Sequence, residues 1–233
     1  KENGYTVINA DDKYSKRILD RISCEKIYFS KSKDNELIKE NINDGKIAVF
    51  IEDNNICVIN NHRKYLIMSI DELPISYNGI LTYNIENAMA ACAALVGLNI
   101  DYCMISKGFS DFMPCDDNEG RFNMFEYYGR KVILDYGHNI EGYKAVLSCI
   151  NKLKTKNRLI GVVGVPGDRQ DNVIKEIGEI CCEYLDEIII KEDKDRRGRS
   201  IGEVSQLLKI SMLKNSNKKN VKVYLDEVDA LEY

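Results

Sequence analysis

The sequence predicts an α/β protein built around a parallel sheet. Four apolar, β-branched runs recur in the second half: Lys131 to Leu134, Leu159 to Val163, Glu187 to Ile190 and Val221 to Leu225. Helix-patterned segments separate them, over Glu141 to Leu153, Asn172 to Tyr184 and Ile201 to Leu213. The runs start about 28 to 34 residues apart, the length of one strand plus its crossover helix. Apolar strands alternating with amphipathic helices imply a parallel sheet covered on both faces.

The first region, to about Phe109, reads differently. Gly4 to Asn9 is a short buried strand, and Asp12 is placed to cap a helix over Tyr14 to Ile22. Lys26 to Phe29 is a second strand. Lys46 to Ile51 and Ile56 to Ile59 flank Asn54-Asn55, a hairpin signal, and Arg63 to Met68 is a further strand. Asn84 to Leu98 is alanine-rich, with small residues on several faces, which predicts a closely packed, buried helix. Asp101 to Phe109 is a second short helix. The polar stretch Ser110 to Gly120, with Pro114, reads as a linker, and Phe122 to Tyr127 pairs with Lys131 to Leu134 as a hairpin at one edge of the sheet.

Composition narrows the function. The chain has 233 residues, 44% of them hydrophobic, enough for a real core. A net charge of -4 argues against a nucleic-acid binder, and no apolar run is long enough to span a bilayer. Residues Lys1 to Tyr5 lack the apolar core of a signal peptide, so the chain reads as cytoplasmic. Its eight cysteines include no C-x-x-C pair and only His62 and His138 could join them, so no zinc site is expected. They read as small buried hydrophobes.

In parallel sheets, ligands bind beyond the carboxyl ends of the strands. Three polar or glycine-containing loops follow strands here: Asp135-Tyr136-Gly137-His138-Asn139, Gly164 to Arg169, and Lys191-Glu192-Asp193-Lys194-Asp195. In the first, Asp135 could accept from sugar hydroxyls, and His138 and Asn139 could face a phosphate or carboxylate. Equally, Asn139 could cap the next helix and His138 could be a satisfied turn residue. Gly164 and Gly167 suit a tight turn, with Asp168 capping the following helix; no Walker A loop is present. Glu192, Asp193 and Asp195 lie near Arg196, Arg197 and Arg199. Such a charge run is either a solvated loop, a carboxylate grip for a guanidinium, or an arginine site for an anion. Arg121, where linker meets second region, is placed to reach a phosphate.

These segments together resemble a known family. Gly120-Arg121-Phe122-Asn123, Asp135 to Asn139, Pro166-Gly167-Asp168-Arg169, and Lys191 to Asp195 with Arg197-Gly198-Arg199 are similar to the Mur-ligase-like half of the cyanophycin synthetases. Asn9-Ala10-Asp11-Asp12 resembles the N-A-D-D of the Mur ligase central domain, and Asn84 with Asn87-Ala88-Met89-Ala90-Ala91 the helix that ends it. Gly137 departs from the alanine common in the family. The P-G-D-R and E-D-K-D segments favour this family over cell-wall or folate ligases.

The resemblance implies the trailing part of a Mur ligase central ATP-binding domain over residues 1–110 and a Rossmann-like C-terminal domain over 111–233. It implies an ATP- and Mg2+-dependent amide ligase that adds arginine to the aspartate backbone of cyanophycin through an acyl phosphate. By position, Asn84 and Asn87 match residues at adenine, Arg121 one at the terminal phosphates, and Asp135 one at the ribose, with His138 and Asn139 completing that loop. Arg121 and His138 are the expected catalytic residues. Charge complementarity assigns Glu192, Asp193 and Asp195 to incoming arginine. Homo-oligomers are expected of the full-length enzyme. The family's P-loop and most magnesium ligands lie upstream of the N-A-D-D segment, so the chain is expected to be a piece of a longer protein, inactive alone. Two alternatives remain: another Mur-type ligase of cell-wall or folylpolyglutamate type, or a non-catalytic module that binds a nucleotide or amino acid.

Overall fold

The computed structural model describes residues 4–153, 158–215 and 220–233. The chain divides into two compact units, Lys1–Glu119 and Gly120–Tyr233.

Unit 1 holds a five-stranded sheet in the order β1 (Tyr5–Asn9), β2 (Glu25–Ser30), β3 (Ala48–Glu52), β4 (Asn55–Asn60), β5 (Arg63–Ser69). The first three strands run parallel and the last three antiparallel. Two-residue turns make the antiparallel pairs. Asp53 and Asn54 have φ of 49° and 61°, and Asn61 and His62 have 48° and 61°, the left-handed pair that matches strand twist. The first turn thus sits one residue earlier than the Asn54-Asn55 expected.

Strand alternation feeds two cores. Ile27, Phe29, Val49 and Ile56 face α2 (Thr82–Gly97) and α3 (Tyr102–Asp111). Tyr28, Ala48, Phe50 and Cys57 face α1 (Glu36–Asn43), through Leu37 and Ile38. Asn35 caps α1 by accepting from the Leu37 N–H at 3.0 Å. The apolar positions in α1 are too few for the sequence to announce it. The expected helix over Tyr14 to Ile22 is instead two single-turn 3-10 segments, Ser15–Arg17 and Leu19–Arg21. Asp12 accepts from the Tyr14 N–H, which closes a local turn rather than capping a helix. Helix α2 buries Ala88, Met89, Cys92 and Ala93 but exposes Asn87, Ala91 and Ala94. Its small residues therefore serve one packed face, not burial all round.

Unit 2 has a hairpin, β6 (Asn123–Tyr127) and β7 (Arg130–Leu134), and a parallel three-stranded sheet in the order β10 (Asn220–Val223), β9 (Glu187–Ile190), β8 (Ile160–Val163). The hairpin is its own two-stranded sheet, so Lys131 to Leu134 is not a fourth strand of the parallel sheet as expected. The Tyr128-Gly129 turn, both residues at positive φ, directs β7 onto β6.

The intervening helices are α4 (Ile140–Leu153), α5 (Asp171–Tyr184) and α6 (Glu203–Asn215), and α7 (Glu227–Glu232) ends the chain. All four residues of β9 are buried, as a central parallel strand requires. Ile188 and Ile190 pack with Ile174, Ile177 and Leu208 from α5 and α6; each such side chain contributes about 1.5–3 kcal/mol of burial. The two helices meet at Gly178, where a Cβ would stand 2.1 Å from Ser211 Oγ. The buried Glu187 is satisfied by Arg158 and by Asn220 Nδ2, which pins the strand starts. None of the eight cysteines is joined in a disulfide, and five are buried; burial pushes the Cys92 thiol up to about 12. Among the described residues no helix is long and apolar enough to cross a membrane.

Candidate functional site

Unit 2 brings its three strand-end loops together. The first connection is Arg169, whose Nε–H donates to the His138 carbonyl at 3.1 Å. The second is Arg199. Its Nε–H donates to Gly167 O at 2.8 Å and its Nη2 to Arg169 O at 2.7 Å, while Nη1 pairs with Asp171 and Glu203. Arg197 pairs with Asp168 at 2.8 Å. Neither Arg197 nor Arg199 stands ready for an anion; both clasp loops.

Asp168 is spent on Arg197, and Gln170 occupies the N-cap of α5 instead, without a side-chain cap. Gly164 and Gly167 do not have the positive φ of a tight turn. Close approach is what needs glycine at 167, where a Cβ would lie 2.1 Å from Arg196 O; a Cβ on Gly164 would stand 3.1 Å from Lys191 O and meet the flexible end of the Lys191 side chain.

Asp135 ends β7. Its Oδ2 accepts from the Phe122 N–H at 2.9 Å. Burial raises its pKa above the usual 3.8, against the opposing pull of that N–H and of the Arg121 and His138 charges. Arg121 is exposed and enters no ion pair among the described residues. A cation with an unspent guanidinium thus stands beside a half-buried carboxylate. In the same loop, His138 Nδ1 lies 3.2 Å from Tyr136 O and its Nε2 3.4 Å from Asn139 Nδ2. The Nδ1–H tautomer satisfies both contacts. Asn139 Oδ1 accepts from the Gly142 N–H at 2.7 Å, so it caps α4, the simpler of the two readings open from sequence.

The acidic loop separates into three roles. Glu192 is 7% exposed, and its two oxygens accept from the N–H groups of Gly202 and Ser205, each at 3.0 Å. It anchors the start of α6 and is not free to grip a substrate, because burial demands that both oxygens be satisfied. Asp193 pairs with Lys191 at 2.7 Å. Asp195 is exposed and accepts from the Arg197 N–H at 3.0 Å. A small cleft runs past Gly167, Asp193, Asp195 and Arg196.

In unit 1, Asn84 is buried, and its Nδ2 donates to Ile75 O at 2.9 Å. Its Oδ1 accepts from Asn87 Nδ2 at 3.5 Å, and Asn87 is the exposed member of the pair. The two asparagines and the Asp135 loop lie in different units. Among the described residues no group of three or more His, Cys, Asp or Glu could hold a metal ion. Two positions were missed as contributors: Lys191, and Arg199 in its clasping role. Their residue types carry no signal without the backbone contacts that define them.

Residues 120–233 match the family model described as Mur ligase, glutamate ligase domain. The chain is 32% identical to a cyanophycin synthetase of Crocosphaera subtropica, over 99% of this chain and 26% of that protein. It therefore spans only 26% of the length of that relative. Among solved structures, folylpolyglutamate synthase from Thermotoga maritima has a TM-score of 0.62 at 17% identity, covering 98% of this chain and 55% of that one. A Mycobacterium tuberculosis folylpolyglutamate synthase complexed with ADP has a TM-score of 0.58 at 15% identity, covering 90% and 47%. At these identities the structural likeness speaks to fold. The α/β unit with its parallel sheet, the clasped strand-end loops and the matched model meet in one stretch: residues 120–233 are similar to the family described as Mur ligase, glutamate ligase domain.

Proposed function

We propose that the chain is part of an ATP-dependent amide ligase of the cyanophycin-synthetase kind, the part that adds arginine to aspartate side chains of the polymer. The carrying observation is the 32% identity to a cyanophycin synthetase along 99% of the chain. ATP with Mg2+ supplies the phosphoryl group that activates the carboxylate, and the arginine amine then displaces phosphate. The ADP complex of a folylpolyglutamate synthase of similar fold supports nucleotide use.

Each unit, taken by itself, offers residues suited to a nucleotide. Arg121 offers an unspent guanidinium for terminal phosphates. Asp135 keeps Oδ1 for a ribose hydroxyl, since Phe122 takes Oδ2. Asn87 presents an exposed amide for a base edge, and Asn84 holds it. His138, with its ring nitrogens engaged, orients the loop and does not shuttle a proton in this reading. Asn139 contributes through its helix cap. Asp193 and Asp195 remain the carboxylates for incoming arginine. A cytoplasmic location and assembly into homo-oligomers belong to the same proposal.

The test is ATP-dependent incorporation of arginine, against lysine, into a cyanophycin primer by the full-length protein that carries this chain. Incorporation selective for arginine supports the reading. Incorporation of a different amino acid, or nucleotide binding without incorporation, overturns it.

A further inference from the structure

The turn that carries Arg121 is held by Asp135 and by one side chain outside the proposed nucleotide contacts, Asn123. Phe122 is fully buried with φ of 51°, and Gly120 has φ of 73°. A bulky residue in the left-handed region costs of order 1–3 kcal/mol, and it persists only where its surroundings over-determine it. Three hydrogen bonds do so. The Phe122 N–H donates to Asp135 Oδ2 at 2.9 Å, the Tyr136 N–H donates to Gly120 O at 2.8 Å, and the Gly120 N–H donates to Asn123 Oδ1 at 2.5 Å. Asn123 is 6% exposed, and its backbone is fixed opposite Leu134 in the β6–β7 ladder. Its side chain therefore links the rigid hairpin back across Arg121 to the residue before it.

We propose that Asn123 is a positioning residue for Arg121, whose exposed guanidinium it aims at the triphosphate by closing the Gly120–Asn123 turn. This rests on the reading of Arg121 as the phosphate-binding cation. Asp135 then has two tasks: one oxygen completes the same turn, and the other is left for the nucleotide. A lone arginine on a free turn would lose rotational and backbone freedom on each binding event. A pre-closed turn removes that cost, so the contribution is to nucleotide affinity and not to arginine affinity.

The test is a double-mutant cycle in the full-length protein, reading the KM for ATP and for arginine separately. Arg121→Ala is expected to raise the ATP KM about ten-fold or more. Asn123→Leu is expected to raise it about ten-fold with the arginine KM unchanged. Asn123→Asp, which keeps the acceptor oxygen, is expected to restore most of the affinity. On the Arg121→Ala background, Asn123→Leu should add less than about two-fold, because the two act as one unit. An unchanged ATP KM in Arg121→Ala overturns the phosphate reading itself. A raised ATP KM in Arg121→Ala with none in Asn123→Leu, or fully multiplicative effects in the double variant, overturns the positioning role alone. Should Asn123→Leu fail to fold, Asn123→Gln, which moves the acceptor by one methylene, carries the same comparison: a raised ATP KM supports the role and an unchanged one overturns it.

Discussion

The Lys191 ammonium lies 2.7 Å from Asp193 Oδ1 and 3.4 Å from Glu227 Oε2. Burial lowers the affinity of this amine for its proton, yet the two carboxylates more than offset that, and its pKa stands above the usual 10.5. Lys191 is therefore a permanent cation resident on the carboxylate proposed for the incoming guanidinium. Arginine can reach Asp193 only by competing with it, and Glu227 offers Lys191 a second resting place.

Substitution at Asp193 and Lys191 should consequently move the arginine requirement in opposite directions. If the proposed activity holds, Asp193→Ala or Asp195→Ala in the full-length protein is expected to raise the arginine KM about ten-fold while leaving the ATP KM nearly unchanged, the scale of one charge-assisted hydrogen bond partly exposed to water. Lys191→Met is expected to lower the arginine KM. Steady-state kinetics with each substrate varied in turn reads this, and equal effects on both substrates would count against a role in arginine binding.

Arg199 is the clasp of the strand-end loops, with every nitrogen of its guanidinium engaged. Lysine cannot reproduce a planar fork that bonds two carbonyls and two carboxylates at once. Arg199→Lys and Arg199→Ala are both expected to cost roughly 2–3 kcal/mol of stability, since two carbonyls lose charged donors. Urea unfolding gives the number. A lysine variant as stable as the parent would show that charge alone, not the fork, holds the loops.

Close approach without a left-handed backbone makes a prediction at Gly167. The obstacle to a Cβ there is the Arg196 backbone oxygen at 2.1 Å, which no side-chain rotation relieves. Gly167→Ala is expected to cost about 1–3 kcal/mol, the range for forced overpacking. Thermal unfolding measures it, and an unchanged Tm would mean that the two loops separate freely.

Much of this fold was legible because its signals are local. The parallel strands of unit 2 announce themselves as β-branched runs, α4, α5 and α6 as helix-patterned segments beside them, and α2 as an alanine-rich run in unit 1. Helix α3 lies where a short helix over Asp101 to Phe109 was expected, with Asp101 as its N-cap. The failures share a cause. Helix α1, the 3-10 turns after Asp12 and the separation of the β6–β7 hairpin from the main sheet are decided by packing that no short window contains. At the site, sequence located the loops but not the division of labour within them. Glu192, Asp193 and Asp195 look equivalent in a row of carboxylates. Only their partners distinguish a helix anchor, a lysine-bound acid and an exposed one. Arg197 and Arg199 likewise read as free cations until Asp168, Gly167 and Arg169 are seen to take them.

Asp135 makes the stability of the fold depend on pH. Burial holds its carboxyl above 3.8 in the folded state, outweighing the Phe122 N–H and the nearby Arg121 and His138 charges. The folded protein therefore binds this proton more tightly than the unfolded chain. Below 3.8 the group is protonated in both states and imposes no penalty. As pH rises from 3.8 through the raised folded pKa the penalty grows, and above that pKa it is fully present. Asp135→Asn keeps an acceptor for the Phe122 N–H and removes the charge. The variant should be more stable than the parent at neutral pH, with the advantage shrinking as pH falls through that window. Its ATP KM should rise, because a neutral amide is a poorer acceptor for ribose hydroxyls and no longer faces Arg121 as a counter-charge. Unfolding midpoints of both proteins from pH 3 to 8, alongside ATP kinetics at neutral pH, test the two halves together. A gain in stability that does not vary with pH would mean that the substitution repacks the turn, and that the buried charge of Asp135 is not what the fold sustains there.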